Sequence, residues 1–136
     1  MNKAEQAAQA LADMGATVLD CPQLKGSKAL CAPGGYVALG PVENSREEHT
    51  VLAHEKWHLK LGVFYSAQTP AAERARAEAR VHRQLILELV PRAALARLLR
   101  QGLGPSEVAE RLDVTEQLVL QAYWFYKDAD PGFCRG

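Results

Sequence analysis

His54-Glu55-Lys56-Trp57-His58 decides how this chain is read. Two histidines four residues apart fall on one face of an α-helix, one turn from each other. Their ring nitrogens can then reach a single metal ion at about 2.0–2.1 Å. The glutamate after the first histidine is not itself a ligand, but it stands where it can take a proton from a water at the metal. The flanking residues supply a helix to carry the pattern. Ser45-Arg46-Glu47-Glu48 reads as a capping box, with Ser45 as N-cap and Glu48 reaching back. Gly62 supplies a stop, so the spacing predicts a helix over 46–61. Val51, Leu52, Leu59 and Leu61 can face a core while His54, Glu55 and His58 share another side.

His-Glu-x-x-His on a helix is the pattern of zinc-dependent peptidases. A catalytic zinc takes three protein ligands and leaves a fourth position open. His54 and His58 supply two, and spacing leaves Glu73, Glu78, His82 and Glu88 as candidates for the third. Glu78 is mid-helix, Glu73 lies in a first turn where an acid serves the helix dipole, and Glu88 is near the far end. Glu78 and His82 are one turn apart on a shared face.

Working outward, residues 3–14 read as a helix ending near Gly15. Short strands are expected at 16–20, 29–32 and 36–39, with a turn at Gly26-Ser27-Lys28 and a break at Gly34-Gly35. After the motif helix, Thr69 reads as an N-cap with Pro70 in the first turn of a helix running to Leu89. Three shorter helices follow, and the stretch 128–132 reads as irregular. The plan is an α+β, mainly helical, zincin-like single domain over 1–136. Residues 1–44 hold a helix and a small antiparallel sheet, 45–91 the zinc-site helices, and 92–136 a helix-turn-helix-like end.

Composition agrees with one globular domain. Hydrophobic residues make up 48% and charged residues 24% of 136 residues, which is enough chain for a real core. Sixteen basic and sixteen acidic residues cancel, so there is no general electrostatic footprint for nucleic acid. No apolar run approaches the ~20 residues of a membrane span, and the first residues lack a signal-peptide core, so a cytoplasmic location is expected. Cys21, Cys31 and Cys134 form no Cys-x-x-Cys pair and read as reduced thiols, with a Cys21–Cys31 bridge across a hairpin as the alternative. Cys31 reads as a small buried hydrophobe.

The stretch from 51 to 126 resembles the ImmA/IrrE family of metallopeptidases, common in bacteria and their mobile elements. The resemblance rests on Val51-Leu52-Ala53-His54-Glu55-x-x-His58 and on Glu78 followed by Leu85-Ile86-Leu87-Glu88-Leu89-Val90-Pro91. The tail from Gly104 through Val114-Thr115-Glu116 to the aromatics Tyr123, Trp124, Phe125 and Tyr126 adds to it. The chain departs from the family's pattern in carrying Trp57 before the second histidine and Val81 where an alanine is common. The resemblance implies one zinc per chain held by His54, His58 and Glu78, with Glu55 as general base. It implies a cytosolic peptidase whose substrate is a helix-turn-helix repressor of a phage or mobile element, cleaved to lift repression. His82, Tyr65 and Tyr36 are candidates for supporting the site or for oxyanion stabilisation. The strand at 36–39, just before the motif helix, is a candidate edge for an extended substrate.

Two other readings stand beside this one. Residues 106–127 have a helix-turn-helix look, but Leu118, Val119, Leu120 and the aromatics dominate the second helix where base-reading side chains belong, so direct nucleic-acid binding is not expected. The chain could also be a non-catalytic metal-binding module that acts by holding a repressor or another partner.

Overall fold

The structure, a computed structural model, describes residues 1–25 and 27–134. Its elements are α1 (Lys3–Asp13), β1 (Thr17–Asp20), β2 (Ala29–Ala32), β3 (Tyr36–Leu39), α2 (Ser45–Leu61), α3 (Ala71–Leu89), α4 (Arg92–Arg100), α5 (Pro105–Leu112) and α6 (Glu116–Ala129). The α+β, mainly helical plan therefore holds. Gly26, part of the expected turn before β2, lies outside the described residues.

The sheet is mixed rather than antiparallel. Its order is β1-β3-β2, with β1 parallel and β2 antiparallel to β3. The β2–β3 hairpin follows from Gly34 and Gly35, which take φ of 99° and 85° between paired Ala32 and Tyr36. Only glycine adopts such angles without strain. The parallel pairing was not legible from the local pattern. β3 is the best-buried strand, with Val37 at 0% and Leu39 at 8% exposure, so it takes the centre of the sheet. β1 then pairs with its free side, joined at one end by Thr17 N–H donating to Gly35 O at 2.7 Å. Cys21 and Cys31 are consequently on opposite sides of β3, and both are free thiols.

The helix carrying the motif lies between two apolar clusters. Leu52 joins Leu11, Val37 and Leu39 under the sheet, whereas Ala53 joins Leu85, Val90, Leu95, Val108 and Leu118 among the helices. Each large buried aliphatic side chain contributes about 1.5–3 kcal/mol, so burying two neighbouring positions in different clusters fixes the rotation of α2 about its axis. Further ties hold its position. The His49 ring donates from Nδ1 to Asp113 O at 2.6 Å, and Thr115 N–H donates to Thr50 Oγ1 at 3.2 Å.

The caps are shifted by one residue from the expected positions. Asn44, not Ser45, caps α2: its Oδ1 accepts from Glu47 N–H at 2.9 Å, and Glu47 Oε1 accepts from Glu43 N–H at 3.1 Å. Ser45 is already helical. The asparagine side chain satisfies the same orphan donors one position earlier. Pro70 rather than Thr69 precedes α3 as its N-cap, and Thr69 Oγ1 accepts from Ser66 N–H instead.

The tail also differs from expectation. α6 continues to Ala129, and the turn after it inserts Phe133, 3% exposed, beside Tyr126, Tyr123 and Arg92. Truncating Phe133 to alanine should lower unfolding free energy by about 3 kcal/mol, read by urea denaturation. A change within experimental scatter would mean that the tail is not docked in solution.

Candidate metal centre

Gly62 ends α2 in the left-handed region, at φ 65°, and reverses the chain. The reversal lets Val63 N–H donate to His58 O at 3.0 Å and places Val63 O where the His58 ring donates to it from Nδ1 at 2.6 Å. A histidine anchored through Nδ1 presents Nε2 to its other side, the arrangement that orients metal-ligating imidazoles. His54 is one turn earlier on the same helix, its ring centroid 4.7 Å from that of His58.

α3 brings Glu78 against both. Glu78 Oε2 accepts from His54 Nε2 at 3.0 Å, and Oε1 accepts from His58 Nε2 at 2.8 Å. Oε1 also accepts from Tyr65 O–H at 2.8 Å. Of the other acids named from spacing, Glu73 is exposed in the first turn of α3. Glu88 is occupied elsewhere, accepting from Lys56 Nζ at 2.8 Å and from Trp57 Nε1 at 3.2 Å. The bulky Trp57 ring packs against the helical core and donates to Glu88. Glu55 is buried, its Oε1 accepting from His54 Nδ1 at 3.0 Å.

Two sets of side chains bring ligand atoms within 4.8 Å of one another: His54, Glu78 and His82, and His54, Glu55 and His58. His54 belongs to both, and Glu78 joins them through its contacts to His54 and His58. Two imidazoles and a carboxylate form a donor set that suits a divalent transition ion, zinc included. The residues present thus fit a metal ion by chemistry and by the orientation of their nitrogens.

The electrostatics agree. Burial alone would lower the His54 pKa, but the Glu55 and Glu78 carboxylates on either side of the ring more than offset it and lift it to about 9. His58 is raised too: burial opposes, and the hydrogen bonds to Glu78 and Val63 O outweigh it. Burial would raise Glu78, yet hydrogen bonds from His54, His58 and Tyr65 hold its carboxyl far below the usual carboxylate range. Without metal, the two Nε2 protons satisfy the same carboxylate. A cation must displace them. Loading at neutral pH is therefore expected to release at least one proton, and the release should shrink as pH rises through about 9, where His54 loses its extra proton. Calorimetric heats at one pH that do not change with the ionisation enthalpy of the buffer would contradict this.

A cavity of about 210 Å³ opens over the cluster, walled by His54, Glu55, His58, Tyr65, Glu78 and Cys31. Cys31 is half-buried in this wall rather than sealed in the core, and burial together with the nearby Glu55 charge pushes its thiol up to about 12. It is held as a neutral thiol and is no nucleophile. Its place in the site was missed from sequence because it comes from β2, beside the motif in space but 23 positions before His54. Tyr65 faces the His58 ring at 5.9 Å. Tyr36 is 55% exposed at the start of β3 and does not line this cavity. His82 stands 5.8 Å from His54, ring centre to ring centre.

Compared with known proteins, the chain matches no family model, no curated protein and no solved structure.

If Glu78 supplies the third protein ligand, Glu78→Gln should weaken zinc binding by at least about 10-fold in a chelator competition, since the amide loses the charge that the cation needs. Glu73→Gln should leave it unchanged. The reverse ranking would overturn the assignment.

Proposed function

We propose that this chain is a zinc-dependent endopeptidase of ImmA/IrrE type, acting on a helix-turn-helix repressor of a phage or mobile element. The observation that carries the chemical part is the convergence of His54 Nε2 and His58 Nε2 on one carboxylate, at 3.0 and 2.8 Å. His54, His58 and Glu78 would hold the ion. Zinc bound there supplies the Lewis acidity that activates water and polarises a peptide carbonyl.

The remaining work falls to side chains around the same cavity. Among the described residues, Glu55 is the only carboxylate on its wall besides the ligand Glu78. It takes the proton from the attacking water and passes it to the leaving amine. Tyr65, its hydroxyl pushed up to about 12 by burial and by Glu78, stays a neutral donor suited to a developing oxyanion.

Substrate alignment belongs to β2 rather than to the strand expected from sequence. β3 is flanked on both sides, by β1 and β2. Among the described residues β2 pairs only with β3, and Ala29, Leu30 and Cys31 line the cavity. An extended segment of substrate can add to that edge through main-chain hydrogen bonds.

The repressor as substrate rests on the family resemblance. Packing of α6 against α5 and α3, with Leu118, Val119, Ala122 and Tyr126 buried, favours a structural role for the helix-turn-helix-like end over base recognition. No described helix is long and apolar enough to cross a membrane. The test is to mix zinc-loaded protein with a candidate helix-turn-helix repressor and weigh the products. Two fragments that vanish with a chelator support the reading. A repressor that stays intact yet co-purifies with this chain supports a binding module instead.

A further inference from the structure

His82 is a polar residue beside the metal cluster that the proposed mechanism leaves unused. It sits on α3 one turn beyond Glu78, half-buried, and its ligand atom lies in one 4.8 Å group with those of His54 and Glu78. The neighbouring histidines are pinned: His58 through Val63 O and His49 through Asp113 O. Among the described residues no comparable anchor holds His82. Its ring also borders a second cavity, of about 290 Å³, on the α6 side of His54, where Thr115, Gln117 and Gln121 form the far wall. The ring thus has the metal cluster on one side and open space with polar partners on the other.

We propose that His82 is a fourth protein ligand of the resting metal centre, closing the position that water or substrate would take, and that it withdraws into the α6-side cavity to open the site. This rests on the metal reading above. A catalytic zinc keeps one position open, whereas four protein ligands make a closed site. Three imidazoles and one carboxylate would give a latent centre. Withdrawal exchanges the His82–metal bond for hydrogen bonds to the Gln117 and Gln121 amides, and no covalent chemistry is needed. The occupant of the α6-side cavity would then set whether the centre is open, because a bound side chain there excludes the withdrawn ring.

X-ray absorption on the protein loaded with zinc alone counts the imidazoles directly. The wild type should show three, and His82→Ala and His82→Asn should show two, with a lighter scatterer filling the vacant position. Cobalt-loaded samples should show a matching change in the visible d–d bands. Two imidazoles in wild type and variants alike would overturn the proposal and leave the metal reading standing. Failure of the wild type to take up zinc would overturn both. Circular dichroism on the variants confirms that the fold persists, and the wild-type count stands without them.

Discussion

Replacing Glu55 with glutamine should leave zinc content and fold intact while lowering cleavage by at least ~10²-fold, the usual loss on removing a general base. The separation of effects follows from the geometry. Glu55 contacts the His54 ring at Nδ1, whereas the Nε2 atoms that meet Glu78 are the ones offered to a cation. The amide keeps the shape of the carboxylate and its place in the cavity wall but cannot accept a proton. Co-expression with a candidate helix-turn-helix repressor reads the difference as fragment yield and as relief of repression. Equal relief by wild type and Glu55→Gln, with the repressor full length, would show that the chain works by binding, and the peptidase reading would fall.

Removing either motif histidine should have the opposite signature. His54→Ala and His58→Ala should each lose stoichiometric zinc, and with it the stabilisation that binding confers. At zinc a thousand-fold above the dissociation constant, that stabilisation is about 4 kcal/mol, or a rise of roughly 12 °C in Tm for a domain of this size. The wild type should show the shift, and neither variant should. His58→Ala is expected to be the more damaging to the metal-free fold as well, because His58 is buried and its bond to Val63 O ties the end of α2 to the following loop. Retention of one zinc by both variants, measured by atomic absorption, would mean that the metal lies elsewhere.

The sequence made much of this site legible, and the reasons are local. The helix that carries His54, Glu55 and His58 announces itself through an N-terminal cap and Gly62, both short-range signals. The cap was misplaced by one residue because Asn44 and Ser45 are both competent and only the backbone angles choose between them. Glu78 could be narrowed by helix spacing but not singled out from Glu73 and Glu88. That choice depends on how α3 packs across α2, and the pairing of Glu88 with Lys56 and Trp57 is invisible along the chain. What sequence could not give was long-range order. The parallel β1–β3 pairing puts β3 in the centre and leaves β1 and β2 as edges, of which β2 lines the cavity, and this moves the candidate substrate edge from 36–39 to 29–32. β2 carries Cys31 into the cavity wall, and Tyr36 at the start of β3 stays outside it. Phe133, just past the stretch 128–132 that reads as irregular, carries no signal along the chain because its burial depends on a surface built by Tyr123 and Tyr126 of α6 and Arg92 of α4.

The most direct test of the central claim is anomalous diffraction at the zinc edge from crystals of the zinc-loaded protein. One peak per chain is expected, about 2.0–2.1 Å from Nε2 of His54 and of His58 and at similar reach of a Glu78 carboxylate oxygen. A peak away from these three residues, or crystals that show none after loading, would contradict the account.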